Sequence, residues 1–159
     1  MSYHHPMPGE LSRPSDHSAD IELLKDFCKE ELAASQTYEK ALSLPILQRH
    51  ADVLRRCYAS HHNRVAELGK RIVDAGAEAP TSPGVWGSLL PTLATAAAAL
   101  SETLAVTLLE EAEQRALRRY REHEAELASE YREFLVERIV PAEDASYAAI
   151  SALKRTLEA

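Results

Sequence analysis

Apolar residues recur along most of this chain at steps of three and four, the spacing that lays a stripe down one face of an α-helix. Near the start the stripe is Leu24, Phe27, Glu31, Ala34 and Tyr38, and further on it is Val106, Leu109, Glu113, Ala116 and Tyr120. A shift of 82 positions maps the first copy onto the second, with a glutamate at the middle of each and a tyrosine seven residues later on the same face. There is no strand pattern, so the spacing predicts an all-α chain. The first helix starts at a cap formed by Ser18 or Asp20 and stops near Leu42, before Pro45. The second runs from Pro45 or Ile46 to about Ala75, with Gly76 placed to end it; its stripe is Leu47, Ala51, Leu54, Tyr58, His61, Val65, Leu68 and Ile72. After a loop at Ala77 to Pro83 comes a short helix or turn around Trp86 to Leu90. A long third helix then runs from Pro91 to about Glu124, with the small side chains of Ala94 to Ala99 allowing a close neighbour. The fourth covers Glu126 to Leu157 and is kinked at Pro141; its stripe is Val136, Ile139, Glu143, Tyr147, Ile150, Leu153 and Leu157.

A carboxylate on a core face is costly to bury unless something pairs with it. Four helices that bring Glu31, His61, Glu113 and Glu143 to one level would make a site inside the fold, and the same 82-residue shift maps His61 onto Glu143. Carboxylates with imidazole suit iron or manganese, and also zinc. His62, Asp144 and Glu110 are adjacent residues that could take part instead. Tyr38 and Tyr120 lie about 10 Å along their helices from the glutamates, at 1.5 Å per residue. Each is placed to hydrogen-bond a carboxylate of the other hairpin, and Arg64 and Tyr147 complete the expected surroundings. Arg64 lies on or near the same face and could neutralise a carboxylate directly.

Composition narrows the function classes. The chain has 159 residues, enough for one domain with a real core, and 18 Lys plus Arg against 25 Asp plus Glu, a formal charge of −7. The basic residues are interspersed with acidic ones, which argues against a nucleic-acid partner. Cys28 and Cys57 lie on separate helices without CxxC spacing and read as buried thiols in a reducing compartment. Residues 1–18 read as a disordered tail containing Pro6, Pro8 and Pro14, and 19–158 as one helical domain. No signal sequence is present, and the uncharged run Gly84 to Ser101 contains Pro91 and polar residues, so cytoplasmic residence without a membrane span is expected. A homodimer is the expected assembly. Phosphate loops and nucleophile elbows are absent from the sequence.

The doubled Glu-x6-Tyr spacing, the two helical hairpins and the long linking segment resemble the ferritin-like superfamily, specifically its small bacterial members of uncharacterised function. The resemblance spans Asp20 to Leu157. It implies an antiparallel ferritin-like four-helix bundle with a long left-handed crossover between helices 2 and 3. It also implies a carboxylate-bridged di-iron centre that oxidises Fe(II) or reduces oxygen or peroxide. Glu31 and Glu113 match the single glutamates of the pattern. Where the pattern has Glu-x-x-His on the second and fourth helices, this chain has His61-x-x-Arg64 and Glu143-x-x-Ser146. Two functions are therefore expected: an iron- or manganese-binding protein with Fe(II)-oxidising or peroxide-handling activity, or a metal-free helical bundle acting in a structural or stress-related interaction. In the metal-free case, replacing both Glu31 and Glu113 by alanine is expected to leave stability unchanged or raise it.

Overall fold

A computed structural model describes residues 17–85 and 89–159. Among the described residues the regular structure is all helical. Most of the expected tail and the turn at Trp86 lie outside them. Helix α1 spans Ser18–Ser43 and α2 spans Ala51–Asp74, joined by a 3-10 turn at Pro45–His50. Helix α3 is Leu89–Ala98 and α4 is Glu102–His123. A 3-10 turn at Glu124–Glu126 leads to α5, Ser129–Phe134, then a π turn at Leu135–Ile139 and α6, Val140–Glu158. None of these helices is long and apolar enough to cross a membrane.

Helices α1 and α2 run antiparallel: Cys28 faces Val65, and Glu31 faces His61 and Arg64. Helices α4 and α6 do the same, with Arg121 on Asp144 and Glu110 on Ser151 and Lys154. Helix α3, in the connection between the hairpins, packs against α1 and α4. Two apolar clusters result. One gathers Leu54, Cys57, Val106, Leu109, Ile150 and their neighbours; the other gathers Leu24, Phe27, Leu68, Ile72, Leu135 and Ile139. Each of α1, α2, α4 and α6 passes from one cluster to the other, and the acidic residues of the stripes fall between them.

Three helix boundaries differ from the sequence-based expectation. The second α-helix begins at Ala51, not Pro45, because the preceding turn closes with 3-10 bonds. The single helix expected from Pro91 to Glu124 is two helices, separated at Leu100 with φ 52°. The amides of Leu100 and Ser101 bond back to Ala97 and Ala96, and the Ser101 side chain accepts from the Leu104 amide. One helix thus stops in a Schellman-type turn where the next is capped. The run contains no glycine, so the stop carries no signal in the sequence. At Pro141 the expected kink takes the form of the π turn, in which the Val140 amide reaches Leu135 five residues back. This wide turn accommodates a proline that cannot donate. It also rotates the preceding stripe, so Leu135 is buried and Val136, expected in the core, is 43% exposed.

The end of α2 is a second Schellman turn: Gly76 N–H reaches Val73, Ala77 N–H reaches Ile72, and Gly76 has φ 85°. A Cβ there would meet no other atom but would force a side chain into left-handed backbone. Gly76→Ala is therefore expected to lower the unfolding free energy by about 1 to 2 kcal/mol, and Leu100→Gly to raise it by a smaller amount. Urea midpoints at constant m-value measure both, and equal midpoints for Gly76→Ala and the parent would reject the first.

Candidate functional site

Between the two apolar clusters lies a buried polar layer. Glu31 from α1, His61 and Arg64 from α2, Glu113 from α4, and Glu143 and Ser146 from α6 are all buried there. Glu31, His61, Arg64 and Glu113 sit near the middle of their helices, and Glu143 lies in the first turn of α6. The Arg64 and Glu143 side chains are 2% and 0% exposed.

Each charge in this layer meets an opposite one. Glu31 accepts from His61 Nδ1 at 2.7 Å, from Arg64 Nε at 2.9 Å and from the Tyr120 hydroxyl. Glu113 accepts from His61 Nε2 at 3.0 Å and from the Tyr38 hydroxyl. Each tyrosine thus serves the glutamate of the opposite hairpin. The His61 ring also stacks on Tyr38, with centroids 5.1 Å apart. Arg64 is held further by donating from Nη1 to Ser60 at 2.7 Å, and its Nη2 lies 2.9 Å from Glu143 Oε2.

Protonation completes the balance. Burial by itself would lower the His61 pKa, but Glu113 and Glu31 on its two nitrogens outweigh it and push it up to about 9. The ring is therefore an imidazolium that donates from both nitrogens. Arg64 Nη2 also comes within 2.7 Å of His61 Nδ1, with the Glu31 carboxylate beside both groups. Burial would raise Glu31 and Glu113, but Arg64 and His61 hold the first below the usual carboxylate range and His61 holds the second there. Glu143 goes the other way: burial first, then the charges of Glu113 and Glu31, keep its carboxyl well above that range in spite of Arg64. Glu113 Oε2 and both Glu143 oxygens have no hydrogen-bond partner among the described residues, Arg64 meeting Glu143 Oε2 as an ion pair. The cations Arg64 and His61 thus face the depressed carboxyls of Glu31 and Glu113, with the raised Glu143 carboxyl beside them.

The other expected site residues lie elsewhere. His62 is exposed and stacks against Tyr58. Asp144 pairs with Arg121 at 3.0 Å near the surface, and Glu110 accepts from Lys154 and Ser151. Tyr147 is half-buried beside Leu117, Arg118 and Arg121 on the outer side of the second hairpin. Ser146, one residue earlier, takes the inward position. On α2, Cys57 and Arg64 are among the buried residues, whereas Tyr58 and Val65, expected in the stripe, are only half-buried. Apolarity favoured the latter pair in the sequence, whereas burial of Arg64 depends on partners brought by α1 and α6. Ala34 and Ala116, expected in the core stripe, instead line a groove of about 750 Å³ between α1 and α4, and the groove's deeper wall includes Tyr38, His61 and Glu113. Cys28 and Cys57 are buried free thiols whose pKa burial pushes up to about 11 and about 12, so neither is nucleophilic near neutrality.

The donor set can be tested against the metal centre that the ferritin-like resemblance implies. One oxygen or nitrogen each from Glu31, His61 and Glu143 lie within 4.8 Å of one another, a spacing suited to one ion. Two ions bridged by carboxylates need about twice the ligands present, and His62, Asp144 and Glu110 are directed elsewhere. The Arg64 guanidinium stands among the same three groups at hydrogen-bond distance, and it cannot be deprotonated. The residues do not fit a dinuclear centre. Comparisons with protein-family models, curated proteins and solved structures find no match to this chain.

Proposed function

We propose that this chain is a ferritin-like four-helix bundle, akin to the small bacterial members of that superfamily, whose interior works without a resident metal. On this reading it acts as a non-enzymatic structural or interaction protein. The observation that carries the reading is the position of Arg64: a permanent cation lies 2.9 Å from both Glu31 and Glu143, where a metal-dependent site would need room for an ion. With His61 charged, Arg64 and His61 face the carboxyls of Glu31 and Glu113. Such buried networks add little net stability, but they fix which helix faces meet, because a misregistered pairing would strand a charge.

A second reading, a single iron or manganese ion on Glu31, His61 and Glu143, has one observation in its favour, the 4.8 Å grouping of their ligand atoms. It requires Arg64 to withdraw from the site. Elemental analysis separates the two after anaerobic incubation with Fe(II) and removal of loose metal, with parent and Glu31→Ala/Glu113→Ala protein treated alike. The metal-free reading expects no retained iron in either. Iron held stoichiometrically by the parent and lost in the variant would replace it with the iron-binding reading, and oxygen and peroxide turnover would be the next assays.

A further inference from the structure

We propose that the polar layer is a latent mononuclear metal site, closed by Arg64, and that removing the guanidinium converts it into a binding site for one divalent transition ion. The inference rests on the metal-free reading of the parent protein and adds what the same residues bind once their cation is gone.

Charge and geometry support it together. The Arg64 guanidinium lies between the carboxyl groups of Glu31 and Glu143, and a divalent ion is a cation that can take its place there. The ligands are already assembled: an imidazole nitrogen and oxygens of Glu31 and Glu143 lie within 4.8 Å of one another, and Glu113 sits on the other side of the ring. Arg64 Nη2 lies 2.7 Å from His61 Nδ1 and 2.9 Å from Glu143 Oε2, while Nε lies 2.9 Å from Glu31 Oε1. The volume it vacates is therefore among the ligand atoms. Bonds of about 2.0 to 2.2 Å to nitrogen and oxygen would require the three groups to close on that vacated volume. Outer partners are in place as well, with the Tyr120 hydroxyl on Glu31 and the Tyr38 hydroxyl on Glu113 orienting those carboxylates. The groove between α1 and α4, walled in part by His61 and Glu113, provides the approach from solvent. Oxygen and imidazole donors without thiolate select ions of the manganese-to-zinc series.

Co(II) is the probe, because its visible spectrum reports coordination as well as binding. It is titrated into the full-length parent, Arg64→Ala, Arg64→Gln and Arg64→Ala/His61→Gln. Arg64→Gln removes the charge while keeping an amide donor for Glu31, so it guards against loss of folding in the alanine variant. Both single variants are expected to take up one equivalent of Co(II), with affinity roughly a hundredfold or more above the parent's because a like charge has left the site. The added His61→Gln is expected to abolish that gain, which separates the buried site from the histidines of residues 1–17. A variant unfolded alone that folds on one equivalent of Co(II) also supports the proposal. Variants that bind no more tightly than a non-binding parent, or that stay unfolded whatever the Co(II), overturn the inference and leave the metal-free reading standing. A parent that binds one equivalent as tightly as the variants overturns both.

Discussion

Arg64→Met is expected to lower the unfolding free energy by about 3 to 5 kcal/mol, the usual effect of removing one member of a buried charge network. The size follows from what is left behind. Glu31 retains only the imidazolium and a tyrosine hydroxyl, and the Ser60 hydroxyl loses its donor. Methionine has similar length and no charge, so most of the loss is electrostatic rather than a cavity. Removing the stranded partners should therefore recover much of it. Adding Glu31→Met and Tyr120→Phe to Arg64→Met leaves the His61–Glu113 pair with neutral Glu143, and this triple variant is expected to be more stable than the single one. Urea unfolding at constant m-value measures both. A loss below about 1 kcal/mol for Arg64→Met would mean that Arg64 is not the counter-ion of the layer. The same geometry revises the expectation for Glu31→Ala/Glu113→Ala. The sequence alone suggested unchanged or improved stability, but each glutamate holds a buried cation, so the double variant should be less stable than the parent.

Stability should be greatest in mildly acidic solution and fall as the pH rises through neutrality, with His61 and Glu143 acting in the same direction. Its folded pKa, about 9, lies above the ordinary 6.5. The contribution is therefore fully present below pH 6.5 and lost as the pH climbs through 9, a change of up to about 3 kcal/mol at 1.36 kcal/mol per pH unit. Glu143, raised by burial and by its carboxylate neighbours, acts with the same sign from pH 4.5 upward. Glu30, pushed up to about 7 mainly by burial, adds to the fall between 4.5 and 7. Glu31 and Glu113 act oppositely: their folded values are depressed, so their contribution is present above pH 4.5 and disappears in acid. Urea unfolding free energies measured from pH 4 to 9.5 should peak between about 4.5 and 6.5. His61→Gln should be less stable throughout and lack most of the decline between 6.5 and 9. A parent whose stability rises steadily from pH 6.5 to 9 would show that His61 is buried neutral, with a different proton arrangement among the three carboxyl groups.

The helical class, the paired hairpins and the inward glutamates were legible along the chain because each is periodic: Leu24, Phe27 and Glu31 repeat as Val106, Leu109 and Glu113 whatever surrounds them. Gly76 was legible for a similar reason, since a left-handed residue after a helix has a local preference for glycine. Leu100 was not, because it occupies the same kind of backbone without that residue type, and only the abutting cap at Ser101 explains the stop. The exchange of Val136 for Leu135, and of Tyr147 for Ser146, lay beyond periodicity too. One wide turn before Pro141 rotates a whole stripe, and its register is settled by packing on the other helices. Arg64 falls between the two cases: its place on or near the inner face was legible, but its burial becomes favourable only when carboxylates from α1 and α6 arrive on either side. Those contacts join residues 33 and 79 positions apart in the chain. A charge is buried or exposed according to the energy of partners remote in sequence, so tertiary packing decided that the interior cation of this protein is a side chain.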